Sequence, residues 1–107
     1  MANTFKNAGV AIGTSSTTIY TAPSSTAAVI HAIYLSNVHG SNNGVVDIYI
    51  TDASAGSDFY VVKNLTVPKG TTVVLDKPVN LETADILKAV ADATSTIQAF
   101  CSVLEIT

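Results

Sequence analysis

At 107 residues the chain has room for one ordinary domain around a single core, and too little for a catalytic domain with a second beside it. Charged residues make up 12%, about half the usual share of roughly 25%, and 14 Thr and 10 Ser supply polarity instead; with 48% hydrophobic residues, this excludes disorder. Five lysines and no arginine against eight acidic residues, a net charge of -3, make nucleic acid a poor partner, and one cysteine excludes an intramolecular disulfide framework.

In chain order, the residues from Met1 to Asn7 carry no charged segment followed by an apolar stretch, and no apolar run reaches the length of a span, so neither a Sec-type signal nor a membrane segment is expected. Short runs rich in Val, Ile, Thr and Tyr then alternate with polar turns, the pattern of a sandwich or barrel. Strands are expected at Thr4 to Ile12, Thr17 to Ala22, Ala28 to Asn37, Val45 to Asp52, Asp58 to Val67, Thr71 to Asp76, Asp85 to Ala91 and Thr96 to Ile106. Residues 1–12 read as a first strand or as a docking arm. Gly13-Thr14-Ser15-Ser16, Pro23-Ser24-Ser25 and Pro68-Lys69-Gly70 read as loops and turns, and Asn42-Asn43-Gly44 as a turn of residues that tolerate positive φ. Pro78 bars a regular central ladder, so Lys77 to Thr83 is expected to be an edge or a crossing between sheets.

Leu81 to Ala93 is ambiguous, because its helix formers would bring Ile86, Leu87 and Val90 together on a helix. We read it as a strand, with Ile86, Lys88 and Val90 on one face and Leu87, Ala89 and Ala91 on the other. The whole is expected to be an all-β, single-domain antiparallel β-sandwich over residues 1–107, jelly-roll-like, with about eight short strands. Several strands place apolar residues on both faces: Val29, Ile33 and Leu35 alternate with Ile30 and Tyr34, and Phe100 to Ile106 behaves likewise. A two-layer sandwich needs one apolar face per sheet, so the surplus points to an outer surface covered by another copy or by a larger assembly, the alternative being Ala and Val at exposed strand positions.

Few catalytic constellations exist in a chain with two histidines and one cysteine. His31 falls mid-strand and His39 in a turn, neither with a partner at ligand spacing, and both read as packed or surface residues. Cys101, between Phe100 and Val103 in a strand, reads as an inert, semi-buried thiol. Asp52 and Asp58 bracket a Gly-containing loop that could offer oxygens to calcium, but it lacks the distal bidentate Glu and reads as a strand connection. Glu82 and Asp85 suit a turn before a strand as well as they suit an acid and base pair. Asn64-Leu65-Thr66 matches a glycosylation sequon, read as chance without a signal peptide. Tyr20, Tyr34, Tyr49 and Tyr60 could stack on sugars, although strand tyrosines more often pack. No catalytic, cofactor-binding or metal-binding residue is therefore expected, and no cofactor.

The order of short elements carries more than any site does: Asn7-Ala8-Gly9-Val10, Ile19-Tyr20-Thr21-Ala22-Pro23, Leu35-Ser36-Asn37, Asp47-Ile48-Tyr49-Ile50-Thr51-Asp52, Val67-Pro68-Lys69-Gly70, Leu81-Glu82-Thr83-Ala84-Asp85-Ile86-Leu87 and Cys101-Ser102-Val103-Leu104-Glu105-Ile106. It resembles the small β-sandwich virion structural proteins of tailed bacteriophages. In such proteins a Leu-Glu-x-Gly-Asp stretch turns sharply into the penultimate strand, and here Ala84 stands in place of the glycine. The resemblance implies a non-enzymatic capsid decoration (cement) protein on the major capsid lattice, made in the bacterial host cytoplasm and located in the virion. A neck, tail or fibre-attachment module and a carbohydrate-binding sandwich are the alternatives. The major capsid protein or other virion proteins are the implied partners, with neither nucleic acid nor membrane. Symmetric packing favours a homo-oligomer, a trimer at threefold lattice positions. The outer faces of Val29 to Leu35 and Phe100 to Ile106 and the amino-terminal arm are the expected contact surfaces.

Overall fold

The computed structural model describes residues 2–107, and Met1 lies outside the described residues. Nine strands are present: β1 (Asn3–Ala11), β2 (Thr17–Thr21), β3 (Ala27–Asn37), β4 (Gly44–Asp52), β5 (Ser57–Val67), β6 (Thr72–Leu75), β7 (Val79–Leu81), β8 (Ile86–Ala91) and β9 (Ile97–Ile106). No helix occurs among the described residues, and the segment with helical character forms β8. The reason lies in its alternation. Leu87, Ala89 and Ala91 are buried, whereas Ile86, Lys88 and Val90 are half-exposed. Only an extended chain puts those two sets on opposite faces.

The strands pair antiparallel in two sheets, ordered β1-β9-β3-β6, with β7 also on β3, and β2-β8-β4-β5. This is the interleaved order of a jelly roll, in which the first strand lies against the last and the second against the penultimate. All of β1 is laddered to β9, from Asn3 opposite Ile106 to Ala11 opposite Gln98, so residues 3–11 form the first strand. The chain ends are tied as well, by mutual backbone hydrogen bonds between Ala2 and Thr107 at 2.9 Å.

The short strand β7, absent from the expected set, continues the line of β6. The two pair with different stretches of β3, Leu75 opposite Ile33 and Val79 opposite Ile30, and are separated by Asp76-Lys77-Pro78. Pro78, which lacks an N–H, thus sits at a break in an edge strand, where no ladder bond is lost. The break lies opposite a bulge in β3, where Ile30 faces Val103 and Ala32 faces Ser102, leaving His31 as the extra residue.

That bulge corrects the expected two-faced pattern of β3. With one residue inserted, the inward set switches parity and becomes Ala28, Ile30, Ile33, Leu35 and Asn37, all buried. Ile30 and Ile33 therefore share the core face instead of opposing each other. The core between the sheets is filled mainly by Ile12, Ile30, Ile33, Leu35, Ile48, Leu81, Leu87 and Ile97. Each such aliphatic side chain contributes about 1.5–3 kcal/mol when fully buried.

The turns follow the expected chemistry with one exception. Gly70 takes φ +68° in the turn after Pro68, closed by Thr71 N–H donating to the Pro68 carbonyl at 3.1 Å. Gly44, by contrast, has no positive φ: it is excluded from bearing a side chain because a Cβ there would lie 2.7 Å from Ile97 Cδ1.

Candidate docking interface

Of the residues with chemical potential, the one group of three or more potential ligand side chains brought together among the described residues is acidic, Asp52 with Glu82 and Asp85. Cys101 is fully buried, and desolvation pushes its thiol above the ordinary cysteine value. It is more deeply enclosed than the semi-buried position expected. His39 turns its ring inward on its own loop, with Nδ1 accepting from the N–H groups of Ser41 at 3.1 Å and Asn42 at 3.0 Å. The exposed His31 occupies the β3 bulge. Asn64 stands at φ 57° in an irregular stretch of β5 and donates its N–H to Asp47 Oδ1 at 2.7 Å.

The acidic residues meet in a grouping that the linear order conceals. Asp52 does not join Asp58; it lies with Glu82 and Asp85, each offering a carboxylate oxygen within 4.8 Å of the others. Their hydrogen bonds explain the grouping. Asp85 accepts from Ala53 N–H at 3.0 Å and from Glu82 N–H at 2.8 Å, clamping two loops together. Asp52 accepts from the hydroxyl and N–H of Ser54, at 2.8 and 3.1 Å, and the hydroxyl bond leads in holding its carboxyl below the ordinary aspartate value. Asp58 is bound separately, by Thr51 Oγ1 at 2.7 Å. These carboxylates organise turns, which is chemistry that Asp performs routinely beside free backbone N–H groups.

The four tyrosines do not form one platform. A bulge between Thr18 and Tyr20 turns Tyr20 inward, where its hydroxyl reaches Glu105 on the opposite sheet at 2.5 Å. Tyr49 and Tyr60 pack together on the outer face of β4 and β5 with ring centroids 5.1 Å apart, and Tyr34 lies on the other sheet.

What the fold does assemble is a pair of unlike outer faces. On the β2-β8-β4-β5 sheet the outward positions include Asp47, Asp58, Lys63 and Lys88. Lys63 bridges Asp47 at 3.5 Å and lies 4.6 Å from the Tyr60 ring centroid. This is a solvent face.

The outward positions of β1, β9, β3 and β6 carry no Asp, Glu or Lys. The registers arrange them in rungs across the sheet. Phe5, Leu104 and Val29 form one rung, Asn7, Ser102 and Ala32 the next, and Gly9, Phe100, Tyr34 and Val74 a third. Phe5 is 80% exposed, Phe100 45%, Val74 44% and Tyr34 39%. Tyr34 and Phe100 lie side by side, centroids 6.5 Å apart. Beside Gly9 and Phe100 lies an open depression of about 350 Å³, bordered also by Ala11, Ser36 and Gln98. A Cβ on Gly9 would stand 3.2 Å from the Phe100 ring. The charged residues nearest in sequence, Lys6 and Glu105, point to the opposite side of their strands, where they lie 3.7 Å apart. An exposed aromatic surface without charge is the signature of a surface that another protein covers.

The sequence signal for this face was the apolar surplus in Phe100 to Ile106 and in the strand around Val29. Its parity was not legible, because the His31 bulge shifts it. A second apolar exposure is Phe59 and Val61 on the edge strand β5, of which Val61 borders a cleft of about 330 Å³ shared with Val74 and Val79. There β5 is interrupted by two extra residues relative to β4, an irregularity that weakens an edge as a template for pairing.

No family model and no curated protein sequence matches the chain. Its fold is similar to a chain of the Bacillus endospore appendages, which are disulfide-linked pili, at 16% identity over 99% of this chain and 87% of that one, with a TM-score of 0.56. It is similar as well to a chain of the acid-stable capsid of Helicobacter pylori bacteriophage KHP30, at 13% identity over 100% of this chain and 89% of that one, TM-score 0.58. A pentameric capsid protein from metagenomic phage sequences is 20% identical over 90% of this chain and 59% of its own length, TM-score 0.51. The likeness at these identities is one of fold: this chain shares its two-sheet architecture with proteins of phage capsids and of pili.

Proposed function

We propose that the protein is a non-enzymatic structural component of a bacteriophage virion, a capsid decoration protein that docks on the major capsid lattice and stabilises it. One observation carries this reading: the surface is divided into a charged face and an uncharged aromatic one. Such a division suits a module whose work is to be held against other protein. A decoration protein stabilises a shell because it binds the assembled state and not the free subunits. The likeness of fold to a phage capsid chain and to a pentameric phage capsid protein supports the virion setting. In this role the chain is made in the host cytoplasm, assembles with copies of itself and with the shell, and needs no cofactor.

Electron cryomicroscopy of the particle, with quantitative mass spectrometry of its proteins, tests the reading. The expected result is density for this fold over the capsid, at a copy number that scales with the major capsid protein. Density confined to the neck or tail, at a small number fixed by tail symmetry, overturns the decoration role; absence from the particle overturns the virion role.

A further inference from the structure

The uncharged face has a property that the virion reading does not require: its rungs are arranged so that the face complements itself. We propose that this face pairs with the same face of a second copy, about a two-fold axis lying along the Asn7–Ser102–Ala32 rung.

Rotation about that axis lays β1, β9 and β3 each antiparallel over its own copy and β6 over the partner's β7. The rung of Phe5, Leu104 and Val29 then falls on the partner's rung of Gly9, Phe100 and Tyr34, and the reverse contact forms on the other side of the axis. Phe5 is the most exposed large apolar side chain on the molecule's described surface, and it falls opposite Gly9, beside the open depression of about 350 Å³ that Gly9 and Phe100 border. Asn7, Ser102 and Ala32 occupy the axis itself, where identical side chains must meet, with the exposed His31 of the β3 bulge beside them. Aromatic bulk lies on either side, at positions that interlock. An isologous contact demands this kind of arrangement, residue i on j and j on i.

Charge and area point to the same occupant. Copies with a net charge of -3 repel, and burying unpaired charge is costly, so they can close only through a surface that bears none. Among the described residues the other broad sheet face bears Asp47, Asp58, Lys63 and Lys88, which excludes it. Three strands of nine to eleven residues, β1, β9 and β3, about 4.8 Å apart and rising about 3.4 Å per residue, present roughly 500 Å². Two copies would bury about 1,000 Å², the least expected of a specific protein interface. The two-fold pairing is an alternative to the trimer expected from lattice symmetry. It concerns the isolated chain, in which a second copy takes the face that a shell would otherwise cover, and so does not depend on the virion assignment.

Sedimentation equilibrium of the purified full chain, from about 10 µM to 1 mM to match an interface of this size, tests the proposal. The expected species is a dimer of the 11.0 kDa chain. Ser102→Lys places two like charges on the axis and Phe5→Ser removes the interlocking side chain; both positions face outward, and circular dichroism verifies the fold of each variant. Phe5→Ser is expected to weaken dimerisation at least tenfold, as loss of a central aromatic contact does, and Ser102→Lys to leave a monomer. Thr66→Lys, on the exposed side of β5, adds the same charge and leaves the dimer intact. A wild-type chain that is monomeric throughout, or trimeric, overturns the proposal. So does a dimer that both face variants leave unchanged.

Discussion

The hydroxyl of Tyr20 donates to Glu105 Oε2 at 2.5 Å, joining β2 of one sheet to β9 of the other through the interior of the sandwich. Glu105 is buried, and Lys6 approaches its second oxygen at 3.7 Å from the edge strand β1. A hydrogen bond to a buried carboxylate is worth more than one between neutral groups, because the charge cannot recover its hydration.

Tyr20→Phe is therefore expected to destabilise the fold by about 2 kcal/mol, in the range for hydrogen bonds to charged groups, as read by urea unfolding. Unchanged stability would show that the pair contributes nothing net.

The same pair predicts an alkaline dependence. Desolvation first, and then the bond to Glu105, raise the Tyr20 phenol well above the ordinary tyrosine value. A group raised in the folded state contributes its stability in full below its unfolded value, near pH 10, and loses it as pH climbs through the folded value. A difference titration at the phenolate band, wild type against Tyr20→Phe, should place the Tyr20 step well above pH 10. A step at the ordinary value would contradict the geometry.

Ala84 is held at φ 73° in the turn into β8, its N–H donating to the Ala22 carbonyl at 3.0 Å. The turn has kept the backbone conformation that suits glycine while carrying an alanine. Left-handed backbone costs an L-residue about 1–2 kcal/mol, partly offset by glycine's greater freedom when unfolded. Ala84→Gly should raise stability by about 0.5–1 kcal/mol and the melting temperature by a few degrees. Destabilisation would mean that the methyl group packs to greater benefit than the strain costs.

Gly44 makes the opposite case. Its absent side chain is where Ile97 and Thr96 pack: a Cβ would lie 2.7 Å from Ile97 Cδ1, 2.9 Å from its Cγ1 and 3.0 Å from Thr96 Cγ2. Gly44→Ala should destabilise by about 1–3 kcal/mol through overpacking, as measured by thermal or urea denaturation. A neutral result would show that Ile97 can turn aside without loss.

Cys101 is enclosed between Ile33 and Ala8 in the ladder and has its thiol raised by burial. Native protein near neutral pH should react with a thiol reagent only at the rate of its opening, and fully once unfolded in urea. Rapid labelling of the native state would contradict the packing.

The strands were largely legible because alternation between buried and exposed positions is written residue by residue, and the expected spans differ from the observed ones mainly at their ends. What failed to show was parity. One extra residue in β3, one in β2 and two in β5 redirect the side chains that follow, and no local pattern marks His31 or Ile19 as the insertion. Tyr20 read as one strand tyrosine among four, and its role as the polar link across the core was not legible. Asp52, Glu82 and Asp85 were likewise assigned to two separate pairs, since their proximity depends on how the loops between strands of both sheets converge.

By itself, the sequence determined an all-β chain with few charges, no partnered histidine and apolar residues in excess of one core. Local propensity and hydrophobic period specify these, and neither needs a distant contact. Only the tertiary structure decided where the excess goes. Strand order brings β1, β9, β3 and β6 together, and their registers align Phe5, Phe100, Tyr34 and Val74 on a single surface while Lys6 and Glu105 turn inward. Residues as far apart in the chain as Phe5 and Leu104 become neighbours through backbone hydrogen bonds, a relation set by global pairing. The surplus of apolar positions thereby becomes a face.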